Sequence, residues 1–115
     1  MPRYVYIVYI GNFGYNFKIF GAEDKAFAFL TECYYAAFTD QTMELDIGTN
    51  YESKIVPVDI AKICSKTISN YNGNYKKFLK DLRKSFRENK LDVFGNKDEI
   101  YMHKVKINWL GGFYE

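Results

Sequence analysis

The sequence contains few of the residues that cross-link a chain, bind zinc or interrupt regular structure. Its 115 residues include only two cysteines, two prolines, one histidine and one tryptophan. Cys33 and Cys64 form no C-x-x-C pair, and a single histidine cannot complete a zinc-binding cluster with them. We therefore expect two buried free thiols, no disulfide framework, no metal site and no cofactor. The scarcity of proline and an apolar content of 48% also exclude a disordered chain.

Long hydrophobic runs are absent as well. The longest uncharged apolar run, from Tyr4 to Ile10, has seven residues, whereas a membrane-spanning helix needs about 20. One arginine precedes this run and no small-residue cleavage site follows it, so we do not interpret it as a secretory signal. These features predict a cytoplasmic protein that does not bind a membrane.

Neither an internal repeat nor a linker divides the chain. A length of 115 residues is close to the commonest size of one domain. We predict a single domain that spans residues 1–115 and buries its core without cross-links.

Alternating and helical patterns predict an α+β fold in the element order ββα-ββ-αα-ββ. Hairpins are predicted within residues 4–20, 42–58 and 91–110. Helices are predicted for residues 22–38, for a segment that begins after an Asp59 N-cap, and for residues 75–90. Because short connections require antiparallel pairing, we expect a mostly antiparallel sheet from three hairpins, with the helices packed on one face.

The last predicted strand has a mainly apolar face and a face that carries lysines. Alternation places His103 on the same face as Val105 and Ile107, opposite Met102 and Lys104. This placement predicts a hydrogen-bonded core or edge histidine rather than a general base. The sequence also lacks a G-x-S-x-G motif, so we expect a protein that is not an enzyme.

The second hairpin carries a cluster of acidic residues around one lysine. If Gly48–Asn50 is a three-residue loop, Asp46 lies opposite Glu52 and Glu44 lies opposite Lys54, all on one face. Carboxylate oxygens suit Mg²⁺, and a nearby lysine stabilises a developing anion. The preferred interpretation is a solvated hairpin face with one cross-strand salt bridge.

The same residues resemble the acid and E-x-K motif of the PD-(D/E)xK nucleases, with Asp46, Glu52 and Lys54 at the matching positions. The spacing from aspartate to glutamate is short for that family, and no acidic helix precedes the motif. The resemblance implies a magnesium-dependent nuclease, which we keep as a minority alternative.

The net charge of +2 conceals an uneven distribution. Residues 1–60 contain four lysines or arginines and eight acids, whereas residues 61–115 contain twelve lysines or arginines and six acids. On the predicted helix 75–90 the cations fall within about 140° of arc, and no acid interrupts them. They are Lys76, Lys77, Lys80, Arg83, Lys84, Arg87 and Lys90.

This basic face has three interpretations. It is an ordinary solvated helix face, a site for nucleic-acid phosphates, or a docking surface for an acidic protein. Tyr71 and Tyr75 lie beside it in sequence and are predicted to be exposed contact residues, suited to base stacking or to an interface. The candidate binding residues are Tyr71, Tyr75, Lys76, Lys80, Arg83, Lys84 and Arg87.

A segment near the start of the chain resembles many small bacteriophage and mobile-element accessory proteins of the host-takeover or anti-defence kind. The resemblance is carried by the hairpin strand Phe17–Phe20 and by Glu23–Ala26 at the start of a helix. It implies a protein that binds and inhibits a host enzyme, defence nuclease or toxin, in the host cytoplasm.

The leading hypothesis from the sequence is therefore a non-enzymatic binding protein that inhibits or modulates a host macromolecule. Its expected partner is a host protein. A nucleic-acid-binding protein that uses helix 75–90 is the alternative, and a homodimer in which acidic and basic halves meet is a further possibility that the sequence leaves open.

Overall fold

The computed structural model describes residues 3–11, 17–46, 54–88, 93–107 and 113–114. The elements follow one another as β1 (Arg3–Ile10), β2 (Phe17–Phe20), α1 (Glu23–Phe38), β3 (Thr42–Asp46), β4 (Ile55–Asp59), α2 (Ile60–Ile63), α3 (Ser65–Asn70), α4 (Tyr75–Arg87), β5 (Val93–Gly95), β6 (Ile100–Ile107) and β7 (Phe113–Tyr114). The predicted α+β class and the three antiparallel hairpins are confirmed.

The main sheet is built around a pairing of the first and the sixth strand. Its order is β2-β1-β6-β5, and β7 also pairs with β6. β1 and β6 pair antiparallel along their whole length, from Arg3 opposite Ile107 to Ile10 opposite Ile100. Because β1 occupies one edge of β6, β5 and β7 share the other edge at different positions along the strand.

The second hairpin forms a separate two-stranded sheet, β3-β4, rather than extending the main one. Leu45 and Val58 from these strands are buried and join the core. Pro57 lies within β4, where its missing N–H suits a strand that pairs through one edge.

Helix α1 covers one face of the main sheet. Its apolar stripe is buried, including Leu30 and Cys33, which are fully enclosed. The stripe packs with Tyr6, Val8 and Ile10 of β1 in one core cluster. Each such side chain contributes about 1.5–3 kcal/mol through burial.

The predicted second helix is divided at Cys64 into α2 and α3. Asp59 caps α2 as expected, since its Oδ1 accepts a hydrogen bond from the Lys62 N–H at 3.2 Å. The first turn of α3 is capped from elsewhere in the chain: the Glu99 carboxylate accepts from the Lys66 N–H at 2.9 Å and from the Thr67 hydroxyl at 2.6 Å. The break therefore depends on a residue 33 positions away in sequence, which local patterns do not encode.

The face of β6 that enters the core is the opposite of the predicted one. Ile100 and Met102 are buried, whereas His103 is exposed on the other face. The reason is the register with β1, which sets Met102 opposite the buried Val8. The prediction that His103 is a core or edge residue is wrong.

Candidate functional site

Helix α4 carries the basic face, and local sequence explains where it starts. The Asn74 side chain caps it by accepting a hydrogen bond from the Lys77 N–H at 3.1 Å. Phe78 and Leu82 on its apolar side are buried in the core. The helix ends at Arg87 instead of residue 90, and residues 89–90 lie outside the described part of the chain.

The cations of α4 all point away from the core. Thirteen residues make a helix about 20 Å long, and six exposed cations line it. Lys84 and Arg87 lie in its last turn, where positive charge complements the helix dipole. The exposed cations are Lys76, Lys77, Lys80, Arg83, Lys84 and Arg87.

Tyr71 is half-buried rather than an exposed contact residue. Its ring packs edge-on against Phe78, with 5.2 Å between centroids, and its hydroxyl donates to Asp81 Oδ2 at 2.7 Å. Burial, followed by the hydrogen bond to Asp81, raises the pKa of this phenol above its usual value. The prediction of a free stacking ring at this position is wrong, because the ring closes the core beneath α4.

Tyr75 is also half-buried, between α1 and α4. Its ring lies 5.5 Å from that of Tyr35 and 5.7 Å from that of Phe38, and its hydroxyl donates to the Thr31 carbonyl oxygen at 3.4 Å. Burial raises the pKa of the phenol, while the nearby Arg83 partly opposes that rise. Tyr75 therefore positions the basic helix on α1.

A cleft of about 470 Å³ opens where the start of α1 meets the end of α4. Phe27 and Phe86 form its apolar part, with ring centroids 5.1 Å apart. Two carboxylates and two guanidinium groups complete the lining. The lining residues are Glu23, Asp24, Phe27, Arg83, Phe86 and Arg87.

The cleft could not be predicted from the sequence, because it is formed by the packing of two helices that are far apart along the chain. Two features of the sequence point to the residues that line it: the acidic first turn of α1 and the aromatic Phe86 in the last turn of α4. The cleft extends the basic face of α4 into a site that offers both apolar contact and charge of both signs.

The acidic hairpin does not have the predicted geometry. Asp46 pairs with Ile55 and Glu44 pairs with Pro57, so the predicted pairings with Glu52 and Lys54 are wrong. The predicted loop Gly48–Asn50 lies outside the described residues. Lys54 precedes the paired part of β4, and Glu52 lies outside the described residues. In the described ranges no group of three histidine, cysteine, aspartate or glutamate residues has the geometry to hold a metal ion.

The cysteines and the histidine are separated by the fold. Cys33 and Cys64 are buried free thiols in the helical layer, as predicted, whereas His103 is exposed on the sheet face opposite the core. Burial raises the pKa of Cys33 to about 12 and also raises that of Cys64. Both thiols therefore remain protonated near neutral pH, which opposes their use as nucleophiles.

Comparison of the chain with protein-family models, with curated proteins and with solved structures gave no match. Across the described ranges, no helix has both the length and the apolar character required to cross a bilayer.

Proposed function

We propose that this protein is a non-enzymatic binding protein that docks an acidic surface of a partner protein against the exposed face of α4. The observation that supports this proposal most is the set of six exposed cations on one 13-residue helix. Following the resemblance of its first hairpin and helix, the partner is a host macromolecule that the bound protein inhibits or modulates.

The cations of α4 contribute more to the recognition of a partner than to the stability of the fold. Exposed charges contribute little to folding, whereas a helix face of one sign accelerates the approach of an oppositely charged surface. The nearest acid on the helix is Asp81, which is engaged by the Tyr71 hydroxyl. The cations thus form a continuous positive surface about 20 Å long.

The cleft at the end of α4 favours a protein partner over a nucleic acid. Glu23 and Asp24 on its wall repel a phosphate backbone but suit a peptide, which carries discrete charges and N–H donors. Phe27 and Phe86 provide apolar contact, and arginine beside an aromatic ring is typical of the centre of a protein interface. The partner that fits places its acidic residues against the exposed cations of α4 and an apolar or aromatic side chain in the cleft.

Nucleic-acid binding is the second candidate. The uninterrupted cationic face of α4 favours it, since several phosphates could be neutralised at once. The packing of Tyr71 and Tyr75 argues against stacking of unpaired bases on these rings. A binder of this kind would contact the backbone of its nucleic acid.

The experiment compares co-purification from cells of the source organism by wild-type protein and two double variants. Lys80→Glu with Lys84→Glu reverses charge at the centre of α4. Lys25→Glu with Lys62→Glu makes the same charge change at exposed positions outside α4. Bound proteins are identified by mass spectrometry, and bound nucleic acid is measured by its absorbance.

We expect one protein to be retained in stoichiometric amounts by wild type and by the control, and to be lost with the α4 variant. Retention of nucleic acid instead, with steep weakening as salt rises, would establish the second candidate. Equal retention by all three proteins, or no retained macromolecule, would refute the proposal.

A further inference from the structure

Helices α1 and α4 lie side by side and antiparallel, with an aromatic contact at each end of the line where they meet. Phe27 near the start of α1 contacts Phe86 near the end of α4, with 5.1 Å between ring centroids. Tyr35 near the end of α1 contacts Tyr75 at the start of α4, at 5.5 Å. Since Tyr75 precedes Phe86 by about three turns of helix, this line is about 16 Å long. We call the line between these two aromatic pairs the α1–α4 seam.

The α1–α4 seam is apolar and only partly closed. Tyr35 is 51% exposed, and between the two aromatic ends α1 presents the small residues Ala28, which is exposed, and Thr31, which is half-buried. The cleft of about 470 Å³ is the open end of the seam. Apolar side chains of a partner can therefore reach this surface without opening the core. The seam residues that pack against the core but stay half-buried are Phe27, Tyr75, Leu79 and Phe86.

The α4 side of the seam carries a row of positive charge. Arg83 and Arg87 line the cleft, and Lys76 and Lys80 continue the row toward the start of α4. Neighbouring members of the row are three or four residues apart, so these exposed cations recur about once per turn, every 5–6 Å or so. The seam thus offers an apolar floor beside a positive charge repeated at each turn.

Resting on the function proposed above, we propose that the docking element of the partner protein is an amphipathic α-helix that lies along the α1–α4 seam. Its apolar residues pack on the half-buried rings, and its carboxylates, three or four residues apart, face the cations of α4. A helix alongside α4 presents side chains about every 5.4 Å, so its carboxylates stay in step with the row of cations. An extended segment repeats about every 6.7 Å and would be about 4 Å out of step at the end of the row.

Backbone hydrogen bonding also favours a helical partner over an extended one. Both sides of the seam are helices, whose interior N–H and C=O groups are bonded within each helix. An extended segment pressed into the seam would bury backbone groups that find no partner there, at a cost in free energy. A helix satisfies its own backbone groups, and it packs beside two others at the usual interaxial distance of about 8–10 Å.

The test uses the whole partner protein that the co-purification experiment retains. Tyr35→Ala removes the most exposed ring of the seam and changes no charge. Ile19→Ala is the control, because Ile19 is 50% exposed, as Tyr35 is 51% exposed, but lies on the sheet face opposite the core. Phe86→Ala, at the cleft, provides a second seam variant. Circular dichroism confirms that each variant is folded.

Titration calorimetry measures the dissociation constant of each complex. We expect Tyr35→Ala and Phe86→Ala each to raise it at least tenfold, because aromatic residues at the centre of an interface carry much of the binding energy. Ile19→Ala should change it less than twofold. The ratio between Tyr35→Ala and wild type should be the same at about 0.1 and 0.5 M salt, since the substitution removes no charge.

Hydrogen exchange of the complex locates the partner segment that becomes protected, and alanine substitution along that segment in the whole partner tests its conformation. A helix predicts that the residues whose replacement weakens binding recur every three or four positions, with carboxylates among them. Weakening at every second position would show an extended segment and would overturn the proposal.

The remaining outcomes separate the two proposals. A partner that is lost with Lys80→Glu and Lys84→Glu, but is bound equally well by Tyr35→Ala, Phe86→Ala and Ile19→Ala, overturns docking along the seam and leaves the proposed function intact. Retention of nucleic acid alone, of no macromolecule, or of a partner indifferent to charge reversal on α4 refutes the proposed function and this inference with it.

Discussion

Glu99 is the one buried charged residue in the described ranges, and it joins three parts of the fold. Its side chain is 5% exposed and accepts hydrogen bonds from the N–H groups of Lys66 and Thr67 and from the Thr67 hydroxyl. Its own carbonyl oxygen accepts from the Gly11 N–H at the end of β1. One residue thus links β1, β6 and the start of α3.

Glu99→Ala should lower the free energy of unfolding by about 2–4 kcal/mol, because it leaves three donors without their acceptor. Urea denaturation measures the change. Asp98→Ala, at the exposed neighbouring position, should change stability by less than about 0.5 kcal/mol. Similar losses in the two variants would show that the buried carboxylate contributes no more than an exposed one.

Because both thiols are buried, their ionisation makes the free energy of unfolding depend on pH in the alkaline range. Burial raises the pKa of Cys33 to about 12, and the same thiol ionises near 8.5 in an unfolded chain. The native state therefore holds a proton that the unfolded state releases. The stabilisation that follows from this difference in pKa is fully present below about pH 8.5 and is lost as the pH rises toward 12.

We expect the free energy of unfolding to decline between about pH 9 and 11, and the decline to be shallower in Cys33→Ala. Native protein at pH 8 should also react with a thiol reagent far more slowly than protein in denaturant. Rapid labelling of both cysteines in the native state would contradict this assignment.

At the scale of secondary structure, the elements that sequence predicts well are those whose pattern is local. The stripe of α1 and the two faces of α4 follow from the spacing of apolar residues, and the Asp59 cap follows from its position before Ile60. Each of these features is determined by residues that are close together in the sequence. The structure agrees with the prediction for each of them.

The elements that sequence predicts poorly are those defined by a distant partner. Residues of β6 alternate between two faces that both contain apolar side chains, and only the pairing of Val8 with Met102 decides which face is buried. In the same way, the pairing of Asp46 with Ile55 moves the acidic hairpin out of the predicted register. The cleft between α1 and α4 exists only after tertiary packing.

Substitutions at two adjacent residues test which face of β6 enters the core. Met102→Ala should cost about 2–4 kcal/mol, because the side chain is 2% exposed and its removal leaves a cavity. His103→Ala should change stability by less than about 0.5 kcal/mol. Thermal or urea unfolding distinguishes these values, and the reverse order would restore the face that sequence alone predicts.

At the scale of the whole molecule, the basic helix and the outward face of the main sheet lie on different surfaces. The sheet face that carries Val5 and Val105 lies opposite the core, whereas α4 packs on the helical side, with Phe78 and Leu82 in that core. A partner bound to α4 therefore leaves that face of the sheet uncovered.

The pairing of β1 with β6 also has a consequence for synthesis of the chain. Residues 3–10 leave the ribosome about 90 residues ahead of residues 100–107, an interval of roughly 5–18 s at ordinary rates of translation. During that time β2 can cover only one edge of β1, and the seven-residue apolar run from Tyr4 to Ile10 keeps an open edge. The nascent chain is consequently most prone to aggregate before β6 is made, and this is the stage at which chaperones would protect it.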